Sequence, residues 1–313
     1  MHTRSRKTII QIAELCSWQP QADDRILVFA PHPDDETLAT GGVIASTLAR
    51  CNPEQVRVVV ATNGDASRLA AMTSSRRPPT RSRQLALARL RQQESLAALR
   101  ILGLAPDNVQ FWGYPDSGLQ YIWRYTWDGR RFRSKVTGFE NAEQAHNAPR
   151  SPYTATAILR QMMDLLDAFR PTVIFTPHPD DAHPDHAALA KFILLAARLA
   201  GKGVDSCCEL FSYPMWLQAR PLPRSIRFTH AAFNLPARFT HSAPEWVYFP
   251  LPDPVRQKKA QALHSYRSQF VTVRGLLKAS ARSSYEAFGR LHPSSAPLPP
   301  VPGISEATLR STL

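Results

Sequence analysis

Two short apolar runs, each followed at once by a histidine–aspartate cluster, constrain this chain more than any other feature. Arg25-Ile-Leu-Val-Phe-Ala30 leads into Pro31-His32-Pro33-Asp34-Asp35-Glu36, and Thr172-Val-Ile-Phe-Thr-Pro177 leads towards His183-Pro184-Asp185-His186. Runs this short, continuously apolar and rich in Val, Ile and Phe read as parallel strands buried on both faces. Open parallel sheets gather their functional groups at the carboxyl ends of the strands. Two clusters at two such ends can converge on one point. Imidazole and carboxylate are the donors of a borderline divalent metal such as zinc, so the pattern is that of a mononuclear metallohydrolase.

Within each cluster the residues divide the work. Pro33 stiffens the first turn, and the adjacent carboxylates of Asp34 and Asp35 must diverge. One can bind a metal while its neighbour stays free to take a proton from water. In the second cluster one imidazole can be a ligand while the other hydrogen-bonds to substrate. Asp185 is then available to hold an imidazole in one tautomer. Three protein ligands leaving one open position is the arrangement of catalytic zinc. A near copy, His178-Pro-Asp-Asp181, follows the second run directly. Two arguments favour the first cluster over it as the partner of His186. Gly41-Gly42 follows only the first, where backbone can approach closely. And convergence from two strands requires the other donors to lie near residue 32.

At these residues the chain resembles the PIG-L/LmbE family of zinc-dependent N-acetylglucosaminyl deacetylases, from about Ile26 to about Leu195. The resemblance implies one zinc per chain held by His32, Asp35 and His186. It implies Asp34 as general base, His183 as oxyanion stabiliser or proton donor, and Asp185 as the residue orienting them. Arg91-Gln-Gln-Glu94, ahead of Leu102-Gly103, is similar to a family stretch whose arginine reaches the substrate or its developing charge. Tyr114-Pro-Asp-Ser-Gly-Leu119 resembles a loop whose aspartate, here Asp116, meets sugar hydroxyls. Thr62-Asn63-Gly64-Asp65 is similar to a family glycine turn, and His264-Ser-Tyr-Arg-Ser-Gln269 to a supporting helix. The implied reaction converts an acetylated amino sugar to a free amine and acetate. The residues themselves leave other readings open: Arg91 as a solvated helix arginine, Asp116 as a turn residue, and His146, His230, His241 and His292 as ordinary surface or satisfied histidines.

The expected fold class is α/β: a Rossmann-like, doubly wound, mostly parallel sheet with helices on both faces. Strands are expected near 26–30, 56–62, 109–112, 172–176 and 208–212, and helices near 42–50, 81–102, 154–169, 185–201 and 254–268. Residues 25–290 form the expected catalytic domain, after an extension at 1–24 and before a proline-rich tail at 291–313. A long insertion at 119–152, with Tyr121, Trp123, Tyr125 and Trp127 among arginines, is expected to lie over the strand ends and carry specificity.

Formal net charge is +13, which implies anionic neighbours. No helix-turn-helix, zinc-finger or RNA-binding signature is present, so no specific nucleic acid is expected. A phosphate-bearing small-molecule or glycolipid amino sugar accounts for the charge equally well. The competing classes are a hydrolase of another amide or a phosphoester, and a non-enzymatic metal or nucleic-acid binder. No apolar run is long enough to span a bilayer, and the basic start is no signal peptide. Cys16, Cys51, Cys207 and Cys208 lack metal-site spacing and read as reduced thiols. The expected location is cytoplasmic, with peripheral contact at the inner membrane face left open. Oligomeric state is not legible from the chain.

Overall fold

A computed structural model describes residues 7–67, 80–200, 208–218, 224–225, 232–292 and 301–303. Its centre is five parallel strands: β3 (Ile26–Ala30), β4 (Val56–Thr62), β5 (Val109–Tyr114), β6 (Val173–Pro177) and β7 (Glu209–Tyr213). They lie in the order β7-β6-β3-β4-β5. The chain therefore winds outward from β3 to one edge, returns beside β3 as β6, and winds out to the other. The switch point of this doubly wound sheet falls between β3 and β6, the strands that carry the two histidine–aspartate clusters.

The strands are apolar throughout because both faces are covered. Leu27, Phe29, Val59 and Ala61 point into one core with α4 (Ala155–Phe169) and α5 (Pro184–Leu199). Ile26, Val28, Val58 and Val60 alternate into the other, with α1 (Asp35–Leu48) and α2 (Arg81–Leu102). Thr154 caps α4 by accepting a hydrogen bond from the Ala157 amide, and Gly103 closes α2 in a left-handed conformation. Among the described residues no helix is long and apolar enough to cross a membrane.

Three features differ from the sequence reading. First, the helix expected near 42–50 begins at Asp35, so Gly41 and Gly42 lie inside it. Side chains of the C-terminal region press on them there: a Cβ on Gly42 would fall 2.1 Å from Leu251. Second, an antiparallel pair, β11 (Glu245–Pro250) and β12 (Tyr285–Leu291), extends the sheet beyond β7. Between them run α7 (Asp253–Leu263) and α8 (Phe270–Arg282). Third, residues 1–24 are partly built into the body. β1 (Lys7–Gln11) pairs with β10 (Ala232–Pro236), β2 (Cys16–Ser17) joins β11 at the sheet edge, and Trp18 is buried against Phe175 and Phe211. Of the tail expected at 291–313, Leu291 ends β12, and residues 293–300 and 304–313 lie outside the described residues, as does Cys207.

The C-terminal pair is locked to α1 by a buried ion pair. Glu286 accepts hydrogen bonds from the Gly42 and Val43 amides and from Lys259 Nζ at 2.6 Å, and Lys259 also donates to the Leu38 carbonyl. Removing one partner strands the other charge in a dry interior. Glu286→Ala is expected to cost about 3–5 kcal/mol of unfolding free energy, read from urea unfolding curves.

Candidate active site

The first cluster is a tight turn between β3 and α1. The Pro31 carbonyl accepts from the Thr62 amide and hydroxyl, fixing the turn to the end of β4. Asp34 then adopts φ 131°, a region that side chains avoid. Two contacts hold it there. Its amide donates to Glu36 Oε2 at 2.9 Å, and Arg91 Nη2 lies 3.4 Å from its carboxylate. Glu36 is fully buried and fixed in turn by Ser95 and Tyr266, both of which donate to its Oε1. Such backbone strain costs on the order of 1–3 kcal/mol and persists only where surroundings over-determine it.

Arg91 is 4% exposed and donates to the Gly64 carbonyl at 2.9 Å and the Pro33 carbonyl at 2.8 Å. Gly64 is required by this approach: its φ is +62°, and a Cβ would lie 1.8 Å from the guanidinium. Both Nη groups are thus engaged by main-chain carbonyls. The guanidinium lines the cavity and braces the two turns, while its buried Nε has no hydrogen-bond partner.

The second cluster begins α5. Pro184 occupies the first helical position and His183 caps the helix, its Nδ1 accepting from the Asp185 amide at 3.3 Å. His186 is fully buried one turn inside. Its Nε2 lies 3.2 Å from Asp35 Oδ2, and the same oxygen lies 3.1 Å from His32 Nδ1. Asp35 Oδ2 thus lies between the two imidazoles, while two other trios, His32 with His183 and His186 and His32 with Asp116 and Asp185, each bring three donor atoms within 4.8 Å of one another. Both ring nitrogens of buried His186 lack a hydrogen-bond partner, which suits a site built for a cation. His32, Asp35 and His186 could therefore hold a divalent metal. Each imidazole has a carboxylate behind it: Asp185 Oδ2 is 3.4 Å from His32 Nε2, and Asp181 Oδ2 is 3.7 Å from His186 Nδ1. The imidazole that Asp185 faces is thus that of the other motif. Asp185 also receives the Ser117 and Leu119 amides, clamping the loop after β5.

Charge follows this arrangement. Burial disfavours an ionised Asp35, but His186 and His32 outweigh it and hold its pKa far below the usual carboxylate range. Burial opposes the charge on His186 too, yet Asp35 and Asp181 push its pKa up to about 9. Asp34 is raised to about 8 by burial, against the pull of Arg91. His183 is lowered to about 4 by burial and by its histidine neighbours, so it is neutral at pH 7. Asp116 receives the Ala66 amide and lies 3.5 Å from His32 Nε2, and its carboxyl stays well below the usual range. Beside it Asp65 is raised to about 7 by burial and by Asp116.

A cavity of about 320 Å³ opens over these groups. His32, Asp34, Asp35, Arg91, Asp116 and His183 form its floor, and Gln120, Trp216, Gln269 and Thr272 contribute to its walls. Trp216 and Gln269 were not singled out as site residues by the sequence. The nearest signal was Ser268-Gln269, and the structure shows its anchor: Ser268 donates its amide and hydroxyl to Glu94, three residues beyond Arg91. His178 stands apart. Its Nδ1 accepts from the Asp180 amide, and its Nε2 lies 3.1 Å from the Phe239 carbonyl. Both nitrogens being occupied, it adds no donor for a second metal. The expected insertion also behaves differently. Trp123 and Trp127 are buried against Phe192, and His146 bonds along β5 at Phe111, so its aromatic rings leave the cavity wall to residues from elsewhere.

Fold and site together define a doubly wound α/β protein with a buried cluster of histidines and carboxylates at the switch point. The chain belongs to the family described as PIG-L, GlcNAc-PI de-N-acetylase, whose model matches residues 27–197, more than half of the chain. It is 33% identical over 164 residues to the 1D-myo-inositol 2-acetamido-2-deoxy-alpha-D-glucopyranoside deacetylase of Mycobacterium sp. (strain KMS), a match covering 52% of this chain and 46% of that protein. The chain thus spans about half the length of the curated relatives it matches. Two solved structures share the fold. N,N'-diacetylchitobiose deacetylase from Pyrococcus horikoshii aligns with TM-score 0.52 and 16% identity over 87% of this chain and 85% of that one. The 4-carboxy-2-hydroxymuconate hydratase of Pseudomonas putida KT2440 aligns with TM-score 0.51 and 16% identity over 85% and 94%.

The strain at Asp34 has a measurable consequence. Glycine accepts φ 131° without a Cβ penalty. Asp34→Gly is expected to raise unfolding free energy by about 1 kcal/mol or more, read as a higher urea midpoint with unchanged slope.

Proposed function

We propose that this chain is a metal-dependent N-deacetylase that hydrolyses the acetamide of an N-acetylglucosamine-type sugar conjugate to a free amine and acetate. The observation that carries the reading is Asp34: a buried carboxylate in a strained turn, next to the His32–Asp35–His186 donors and lining the same cavity. Mere metal binding has no use for it. The deacetylase names of the mycobacterial relative and the Pyrococcus structure support the same reaction class.

We assign one zinc to His32, Asp35 and His186; when bound it would supply Lewis acidity at the acetamide carbonyl and at the attacking water. The residues do the rest. Asp34 takes the proton of the attacking water on its carboxylate; burial raises its pKa, which makes the ionised form a stronger base, and a cation bound beside it would favour that ionised form. Arg91 keeps that carboxylate in place through the Pro33 and Gly64 carbonyls. The Nδ1 of His183 accepts from Asp185, so the neutral ring carries its proton on Nε2. That N–H donates to the carbonyl oxygen as it gains charge, an interaction typically worth about 3 kcal/mol. The amino end of α5 adds a favourable dipole there. Asp34 then returns its proton to the leaving amine. The cavity lies at the small end of ligand sites and suits a single sugar ring, with Asp116 and Gln269 available to its hydroxyls.

The deciding experiment pairs metal analysis with acetate release from a panel of N-acetylglucosamine conjugates. Acetate release that chelation abolishes, with one zinc per chain, supports the reading. A stoichiometric zinc site with no acetate from any conjugate would redirect it to another bond. Asp34→Asn is expected to keep the metal and lower kcat/KM by about 10²–10⁴-fold, and a near-normal rate would remove the base assignment. His186→Ala is expected to lose metal and turnover together. Asp181→Asn leaves every donor in place, and a chelator competition should show metal affinity falling about 10–100-fold.

A further inference from the structure

The arginine-rich part of the 119–152 segment takes no part in the cavity and forms a surface of its own. From Tyr121 to Lys135 the chain has five cations, Arg124, Arg130, Arg131, Arg133 and Lys135, against one acid, Asp128, a net of +4. All five are exposed. The one ion pair among them, Arg130 with Asp128, joins side chains 83% and 48% exposed and neutralises little. Between the cations runs an aromatic ridge. On α3 (Leu119–Tyr125), Tyr121 and Tyr125 stack with ring centroids 6.5 Å apart, and Tyr121 stacks on Phe132 at 5.8 Å. Tyr121 and Tyr125 are 40% and 59% exposed, two of only five large apolar side chains so exposed among the described residues. A depression of about 620 Å³ beside the ridge is walled by Arg124, Arg130, Arg131 and Arg133.

We propose that this protein docks on anionic lipid bilayers through this face. Clustered cations are drawn to an anionic leaflet, and tyrosine favours the headgroup layer, where an apolar ring and a polar hydroxyl are both satisfied. Tyr121 already stacks with Tyr125 and Phe132 and has Lys135 Nζ 5.8 Å from its ring centroid, contacts that a base would have to displace in order to stack on it. The placement has a functional sense. Gln120, next to Tyr121 on the same short helix, lines the active cavity, so a docked bilayer lies within roughly 10 Å, one helix length, of its wall.

The test is co-sedimentation of the full chain with vesicles of phosphatidylcholine alone or mixed with phosphatidylserine, over a range of salt. Binding to the mixed vesicles only, weakening with salt, is expected. Each cation contributes about fivefold, so Arg124→Ala/Arg130→Ala/Arg131→Ala should weaken binding on the order of a hundredfold. These side chains are exposed, so the melting temperature should not move. Tyr121→Ser/Tyr125→Ser should lower the binding that survives at higher salt. Arg50→Ala/Arg89→Ala/Arg100→Ala, equally cationic and outside the face, should leave binding unchanged. The proposal is overturned if mixed vesicles fail to sediment the protein, if neutral vesicles sediment it as well, or if both triple variants behave alike. Retention on a DNA duplex without vesicle binding would overturn it in favour of a nucleic acid. None of these readouts depends on catalysis, so the docking face and the deacetylase reading stand or fall separately.

Discussion

The guanidinium of Arg91 lies where β3 and β4 run out, and the geometry around it depends on this one buried cation. It joins the Pro33 carbonyl of one turn to the Gly64 carbonyl of the other and faces the Asp34 carboxylate. Asp34, Asp35, Glu36 and Asp65 are buried in this region, and Asp116 is half-buried beside them. Packed acids repel one another and resist leaving water. Without Arg91 two buried carbonyls would lack donors, and Asp34 would lose the positive charge that opposes its protonation. The missing Cβ of Gly64 is what lets the guanidinium sit so close.

Support for the first motif arrives from far along the chain. Tyr266 donates to Glu36, which holds the Asp34 amide, and Ser268 binds Glu94 one turn from Arg91 on α2. Glu286 reaches the middle of α1. The C-terminal region is therefore more than an added edge of sheet. It supplies hydrogen bonds that fix the turn carrying His32, Asp34 and Asp35, and it brings Gln269 to the cavity wall. Each contact is buried, where a hydrogen bond left unmade is expensive.

The five central strands were legible because each is a continuous apolar run whose environment is the same on both faces. The convergence of His32, Asp35 and His186 was legible because sheet topology alone brings β3 and β6 together. The start of α1 was not, since Gly41-Gly42 signals a turn when read locally, whereas its purpose is to admit Leu251 and Glu286 against the helix. β11 and β12 escaped notice because their pairing spans two intervening helices. The aromatic residues of 119–152 suggest a specificity loop over the strand ends by composition, but burial against Phe192 and stacking within the segment are tertiary facts. Asp185 was legible as a residue that orients an imidazole, but that the imidazole is His32 of the other motif, and that Arg91 bridges two main-chain carbonyls, are tertiary facts that spacing does not carry.

The strand order also sets a timetable. His32 and His186 are neighbours in space but 154 positions apart, the difference of their numbers, because β6 must return beside β3 after β4 and β5 are laid down. At ordinary rates of synthesis, that separation amounts to roughly 8–30 s on the ribosome. During that interval the emerging chain presents His32, Asp34 and Asp35 with no counterpart and has only half of the proposed metal-binding centre. Maturation of the centre must follow emergence of the second half of the sheet, and a truncation before α5 would leave a chain with the acids of the site and no place to load it.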